Sequence, residues 1–319
     1  EHGTVSFAFQ GGEPTVAGLD FFRDFVAMVS AFRPLDRQVS YALQTNGMAL
    51  NEEWTHFLKE NQFLVGLSVD GYRELHDHYR VDTKGEGTYG RVAKALALLQ
   101  KFEVETNLLC VVTGQCAKHP QKTYASMKKL GVRYLQFIPC LDPLEEQRGR
   151  AVYSLTPKLY GDFLCGLFDQ WYRDWAEGHY TSVRLFDDYV HLAMGEPAST
   201  CAASGGCGSY FVVEADGGVY PCDFYVLDRW RMGDVHTDSL KQLANDETAS
   251  EFLRQGRLRP SRCASCRWVP LCNGGCRRDW TGGADDTENY YCESFRRFFE
   301  YAADRIGEIA WQERRSRMR

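Results

Sequence analysis

The sequence contains no apolar run of the roughly 18–20 residues that a bilayer-crossing helix requires. It lacks a basic block within its body, and its net charge is −6, which argues against a nucleic-acid partner. Its opening residues carry no charged-then-apolar pattern of a secretory signal. Cysteine is absent before Cys110. These absences lead to the expectation of a cytoplasmic protein with neither membrane nor nucleic acid among its partners. The basic end, Arg314-Arg315-Ser316-Arg317-Met318-Arg319, reads as a solvated helix terminus. Glu1 rather than Met stands first, close to a strand, so the chain is expected to be a fragment of a longer protein.

What is present is a globular composition, 44% hydrophobic and 25% charged over 319 residues, enough for one large domain or two ordinary ones. The first part alternates strands and helices. Strands are expected at Val5–Phe9, Val39–Leu43, Phe63–Val69, Glu105–Thr113 and Tyr134–Ile138. Helices are expected at Leu19–Phe32, Asn51–Asn61 with Asn51 as cap, Tyr89–Phe102 and Pro120–Leu130. Such alternation implies an α/β fold with a parallel sheet, closed or partly closed into a barrel. Polar and glycine motifs follow the strand ends, where such folds place their sites. Residues Leu155–Met194 read as helical and aromatic, and Ser294–Trp311 as a closing helix. The domains are therefore expected at 1–150 (partial barrel), 151–198 (helical connector), 199–300 (cysteine-rich domain) and 301–319 (terminal helix and tail).

Eight of the twelve cysteines fall between Cys201 and Cys292. One set is Cys201-x5-Cys207-x14-Cys222; the other is Cys263-x2-Cys266-x5-Cys272-x3-Cys276-x15-Cys292. In a cytoplasmic chain, clustered cysteines point to metal or redox chemistry rather than disulfides. A C-x2-C pair brings two sulfurs to one side of a turn, within reach of one metal centre. Spacing alone does not choose between structural zinc and iron–sulfur. The surrounding stretch has few apolar residues, with short strands at Tyr210–Glu214 and Gly218–Tyr220, so bound metal is expected to hold it together. Cys110, Cys116, Cys140 and Cys165 lie outside the pattern and read as small buried hydrophobes.

The whole cysteine pattern resembles the SPASM signature of radical S-adenosylmethionine (SAM) enzymes that modify peptides. Gln10-Gly11-Gly12-Glu13-Pro14-Thr15 resembles the GGEP motif of that superfamily. Leu43-Gln44-Thr45-Asn46-Gly47 and Leu67-Ser68-Val69-Asp70-Gly71, with His76-Asp77-x-Tyr79-Arg80 after it, are similar to the next two strand-end motifs. A lone GGEP would be an ordinary strand-ending turn; the ordered set with the cysteines is specific. Gly208-Ser209-Tyr210 through Leu227, with Asp216-Gly217-Gly218 and Tyr220-Pro221-Cys222-Asp223-Phe224-Tyr225, is similar to the anaerobic sulfatase-maturating enzymes. The likeness runs from about Val5 to Arg297.

The resemblance implies a partial (β/α)6 radical SAM barrel lacking its first strand, followed by a SPASM domain with two auxiliary 4Fe–4S clusters. It implies SAM as cofactor, cleaved reductively to a 5′-deoxyadenosyl radical. The radical takes hydrogen from Cβ of a cysteine or serine in an unfolded or nascent sulfatase polypeptide, giving Cα-formylglycine. A low-potential electron donor is implied as partner. Gly12, Ser68, Arg80 and Leu141 match SAM-contacting positions, and Asp223 matches the proposed base, its pKa expected to be tuned by burial and cluster charge. The resemblance further implies a crossed division of ligands: Cys201, Cys207, Cys222 and Cys276 on one cluster, Cys263, Cys266, Cys272 and Cys292 on the other. The alternatives are another SPASM enzyme forming a thioether or crosslink, and a zinc-ribbon interaction module.

One departure stands out. The CxxxCxxC loop whose thiolates hold the SAM-cleaving cluster, a third 4Fe–4S, does not occur in this sequence and is expected before Glu1. The 319-residue chain alone, incubated anaerobically with dithionite and SAM, is therefore expected to yield no 5′-deoxyadenosine above background. Robust turnover by this chain defeats that expectation.

Overall fold

A computed structural model describes residues 3–32, 37–144, 146–208, 210–282 and 287–317. Glu1, Ser209, Met318 and Arg319, named above, lie outside the described residues. The chain divides into two compact units: residues 1–159 with 166–184, and residues 160–165 with 185–319.

The first unit is built on six parallel strands in sequential order: β1 (Thr4–Phe9), β2 (Gln38–Thr45), β3 (Phe63–Ser68), β4 (Thr106–Val112), β5 (Tyr134–Pro139) and β6 (Ser182–Val183). Parallel neighbours in chain order need a crossover after every strand. Helices supply it: α1 (Leu19–Phe32), α2 (Glu52–Glu60), α3 (Arg73–Tyr79), α4 (Tyr89–Lys101), α5 (Gly114–Ala117) and α6 (Pro120–Lys128). The pattern reading stops at five strands. The sixth, two residues long, is too short to carry a period, and α3 and α5 are likewise absent from that reading.

Side-chain alternation explains which face is covered. Phe63, Val65 and Leu67 of β3 are buried beneath helices, and Phe22 of α1, fully buried, sits among Phe9, Trp54 and Phe63 at ring-centroid distances of 4.8, 5.2 and 6.5 Å. Fully burying such a side chain contributes about 1.5–3 kcal/mol. Asn51 caps α2 by accepting from Trp54 N–H at 3.0 Å. The alternate residues face the other way and line a cavity of about 330 Å³. Its polar lining includes Gln44, Asn107, Gln136, Ser182 and Arg184, and Gly66 keeps it open where a Cβ would come within 2.9 Å of Leu109 Cδ1.

The long α7 (Pro157–Ala176) starts at a Thr156 cap with Pro157 in its first turn. In the second unit, α8 (Arg184–Ala193) packs Phe186 and Tyr189 against Phe298 and Phe299 of α13 (Cys292–Arg317) at centroid distances of 4.9–5.6 Å. Between them lie α9 (Cys201–Ser204), the antiparallel sheet β7 (Val212–Val213), β8 (Gly218–Tyr220) and β9 (Gly233–Asp234), α10 (Leu240–Ala244), α11 (Glu247–Gly256), α12 (Val269–Cys272) and the pair β10 (Trp280–Thr281) and β11 (Glu288–Asn289). Helix α13 runs unbroken from Cys292 to Arg317.

The cysteine-rich stretch, expected to be held together by bound metal, also contains some apolar packing. Two small apolar clusters form there as well: Val219, Met232, Leu243 and Ala249, and Tyr225, Trp230 and Phe252. Their residues come from short, separated elements, so no local periodicity announces them. Among the described residues, no helix is long and apolar enough to cross a membrane.

Candidate functional site

The chemistry-bearing residues of the first unit gather at the carboxyl ends of the parallel strands. After β1 the chain turns through Gly11 and Gly12 at φ of +87° and +51°, a region side chains avoid, and nothing lies within 4 Å of where their Cβ atoms would be. The next residue, Glu13, is a clasp. Its carboxylate accepts from Thr15 N–H (3.1 Å), Thr15 Oγ1 (2.6 Å), Thr45 Oγ1 (2.8 Å) and Asn46 N–H (2.7 Å), tying the end of β1 to the end of β2.

A second carboxylate does the same between β3 and β4. Asp70, buried, accepts from Val111 N–H (2.9 Å) and pairs with Arg80 through Nε (2.6 Å) and Nη2 (3.3 Å). Its own N–H donates to His76 Nδ1 (3.2 Å), so the ring proton sits on Nε2 and donates to Thr88 Oγ1 (3.0 Å), which donates to the Arg80 carbonyl (2.9 Å). The motif Asp70-Gly71 with His76 and Arg80 is thus one hydrogen-bonded circuit.

Gly12 and Leu141 lie just past the ends of β1 and β5, Ser68 is the last residue of β3, and Arg80 follows α3. Arg80 also lines a cleft of about 560 Å³ with Asn46, His76, Thr88 and Arg91; Gly12, Ser68 and Leu141 are not among its lining residues. Sequence reasoning missed Glu13 and Thr88 as organisers, and Gln44, Asn107 and Gln136 as cavity lining. The last three carried a signal: amides recurring inside otherwise apolar strands. Cys110 and Cys116 are buried, whereas Cys140 and Cys165 are only part-buried. Burial, with Asp142 and Asp70 nearby, pushes the Cys140 thiol up to about 11.

In the second unit all eight cysteines of the two sets are free thiols. Burial comes first in raising Cys276 to about 12, followed by Asp279, with Cys201 and Cys222 as its thiol neighbours. Cys207 is raised by burial and by Cys201, with Arg277 opposing. Burial raises Cys272 to about 12, and its thiol neighbours are Cys292, Cys263 and Cys266. The neighbourhoods thus sort as Cys201, Cys207, Cys222 and Cys276, and as Cys263, Cys266, Cys272 and Cys292. The latter four line one cavity of about 390 Å³.

Local structure fixes these segments. Asp188, buried, accepts from Ser199 N–H and Thr200 Oγ1, both at 2.6 Å, and so holds the residues leading into Cys201. Asn273, left-handed at φ 51°, follows Cys272 and donates from Nδ2 to the Ala203 carbonyl at 2.8 Å, stitching the two cysteine segments together. Asp223 is exposed, so the expected burial of this carboxylate is not observed. Tyr210 Oη donates to Asp223 Oδ1 (3.0 Å) and lies 3.4 Å from Cys222 Sγ.

Cys263, Cys266, Cys272 and Cys292 fit an iron–sulfur cluster: the four thiols rim one open cavity, the arrangement that four-cysteine ligation of 4Fe–4S needs.

Residues 1–127 match the radical SAM superfamily, and residues 205–267 match the SPASM iron–sulfur cluster-binding domain. The cysteine-type anaerobic sulfatase-maturating enzyme of Clostridium perfringens (strain ATCC 13124) is 44% identical over 311 residues, 97% of this chain and 84% of that protein. The chain belongs to the anaerobic sulfatase-maturating enzymes. The serine-type enzyme of Bacteroides thetaiotaomicron is 30% identical over 317 residues, 94% of this chain and 76% of that protein. The solved structure of native anSMEcpe with bound AdoMet and Kp18Cys peptide superposes with a TM-score of 0.94 at 44% identity, covering 98% of this chain and 86% of that one. As a family member the protein is a radical SAM oxidoreductase whose cofactors are SAM and 4Fe–4S clusters, and the zinc-ribbon alternative falls.

The His76 circuit generates a pH prediction. Burial, joined by the Arg80 cation and opposed by Asp70 and Asp77, holds the His76 pKa below the ordinary histidine value. The unfolded chain therefore takes up this proton first as pH falls below about 6.5, and folded stability is lost in that direction. The melting temperature is expected to fall more between pH 8 and pH 5.5 in wild type than in His76→Gln. Equal pH dependence of the two proteins refutes the assignment.

Proposed function

We propose that this enzyme oxidises a cysteine of an unfolded or nascent sulfatase polypeptide to Cα-formylglycine in the cytoplasm, drawing electrons from a low-potential donor. The observation that carries this reading is 44% identity to a cysteine-type sulfatase-maturating enzyme across 97% of the chain. The serine-type relative stands at 30%, which favours cysteine as the target. We assign residues 1–150 to the SAM-binding barrel, 151–198 to the connector, 199–300 to the cluster domain and 301–319 to the terminal helix and tail.

When bound, SAM and the clusters supply hydrogen-atom abstraction and accept the electron released. The backbone at Gly12 meets the methionine amine, where open space and positive φ leave its polar groups approachable. Arg80 offers the methionine carboxylate the guanidinium edge that Asp70 does not take, Nη1. Ser68 adds a hydroxyl at the end of β3, and Leu141 packs on adenine. Asp223 takes the proton from the substrate, its Oδ1 oriented by the Tyr210 hydroxyl.

We assign Cys201, Cys207, Cys222 and Cys276 to one cluster and Cys263, Cys266, Cys272 and Cys292 to the other. The two thiol neighbourhoods support this crossed division, as does the shared cavity of the second set.

Two experiments test the reading. In the full-length enzyme, Asp223→Asn is expected to keep its clusters and to form 5′-deoxyadenosine while losing about 10²–10⁴-fold of formylglycine formation. Undiminished product in peptide mass spectra removes Asp223 from the role. Mössbauer spectra of Cys276→Ala are expected to show the same cluster disturbed as in Cys201→Ala, with Cys292→Ala disturbing the other. A match between Cys276→Ala and Cys292→Ala breaks the crossed division.

A further inference from the structure

Arg277 follows a cluster cysteine directly in sequence and is held in an unusual way. Its guanidinium stands over three aromatic rings at once: Tyr225 at 5.2 Å, Trp230 at 5.1 Å and Phe252 at 5.1 Å. The rings hold one another edge-on, with centroids 5.1–6.3 Å apart. Cys207 and Cys222 pack against the same three rings. The guanidinium donates to Gln255 Oε1 and weakly to the Phe252 carbonyl at 3.4 Å. Among the described residues it has no carboxylate within ion-pair distance. Glu251 lies near enough to feel the Arg277 charge, but its carboxylate accepts from the Gln255 amide and is paired with Arg254 at 2.6 Å.

The cations near the other thiol set are arranged differently: Arg259, beside Cys263, is exposed to water and donates to Asn273 Oδ1 at 3.0 Å. Arg262 pairs with both Glu288 and Glu293, so its charge is matched by carboxylates. Arg267, over Trp268 at 4.3 Å, is exposed to water, which screens it. One thiol set therefore lies beside a positive charge that aromatic faces hold and that makes no ion pair with a carboxylate among the described residues.

We propose that the Arg277 guanidinium is the fixed counter-charge of the cluster held by Cys201, Cys207, Cys222 and Cys276, raising that cluster's reduction potential and making it the better electron acceptor of the two. The inference rests on the crossed division of cysteines. The physics is direct: adding an electron to a cluster already carrying four thiolates is opposed by their charge, and a nearby cation in a poorly solvated setting stabilises the reduced form. The three rings keep the cation in place while sparing it the desolvation cost of burial without a partner. Arg277 acts through the cluster, so it is a positioning residue for charge and takes no part in bond making.

EPR-monitored redox titration of the anaerobically purified, iron–sulfur-loaded protein tests this. Arg277→Met and Arg277→Gln are both expected to move the midpoint of one cluster to more negative potential and leave the other unchanged. The Gln variant keeps a hydrogen-bonding group beside Gln255 and is expected to load iron and sulfide to wild-type content. Arg277→Lys, which keeps the charge, is expected to restore most of the wild-type midpoint, and Arg267→Met to leave the Arg277-dependent midpoint alone. The shifted signal is expected to be the one that Cys201→Ala removes. Unchanged midpoints in both neutral variants overturn the proposal and leave the cysteine division standing. A shift confined to the signal that Cys292→Ala removes overturns the division and the proposal together.

Discussion

Thiols brought together resist ionising together. Burial, with neighbouring thiols adding to it, pushes Cys272 and Cys276 up to about 12, and burial raises Cys222 and Cys292 as well. A thiol must lose its proton to bind metal, so the cationic core of a cluster is what allows four such groups to share one place. The second unit is organised around that need. Asp188 anchors the approach to Cys201, Asn273 ties the Cys272 segment to the Cys201 segment, and two modest apolar clusters fill the space between short elements.

The first unit meets a different demand, since loops at strand ends must keep their shape around an open edge. It does so with carboxylates facing inward. Glu13 gathers four donors from two strand ends, and Asp70 gathers a backbone N–H and a guanidinium. Each carboxylate is satisfied by neighbouring backbone and side chains, and a buried charge persists only on that condition. In consequence, Arg80 arrives at the edge already oriented.

Much of this was legible in the sequence where a pattern repeats or a motif has a fixed spacing. The five longer strands, the α1 stripe and the Asn51 cap follow from period and capping chemistry, and the strand-end motifs mark the working edge. Ser182–Val183 was not legible, because two residues hold no alternation. The helices at Leu240–Ala244 and Glu247–Gly256 escaped because they are short and carry few apolar residues to set a period. The exposure of Asp223 and the ring cage around Arg277 depend on residues far apart in sequence that meet only in the folded unit, and no local rule reports such meetings.

The hydrogen bond from Asn273 to the Ala203 carbonyl joins points separated by most of the cysteine-rich stretch. During synthesis, the segment around Ala203 leaves the ribosome long before Asn273 exists, and Gly205 lies so close to Asn273 that a Cβ there would approach it to 2.5 Å. The early segment therefore waits, unclosed, for the later one. The unit therefore cannot close from its amino end alone, and its final form waits until Asn273 has been made.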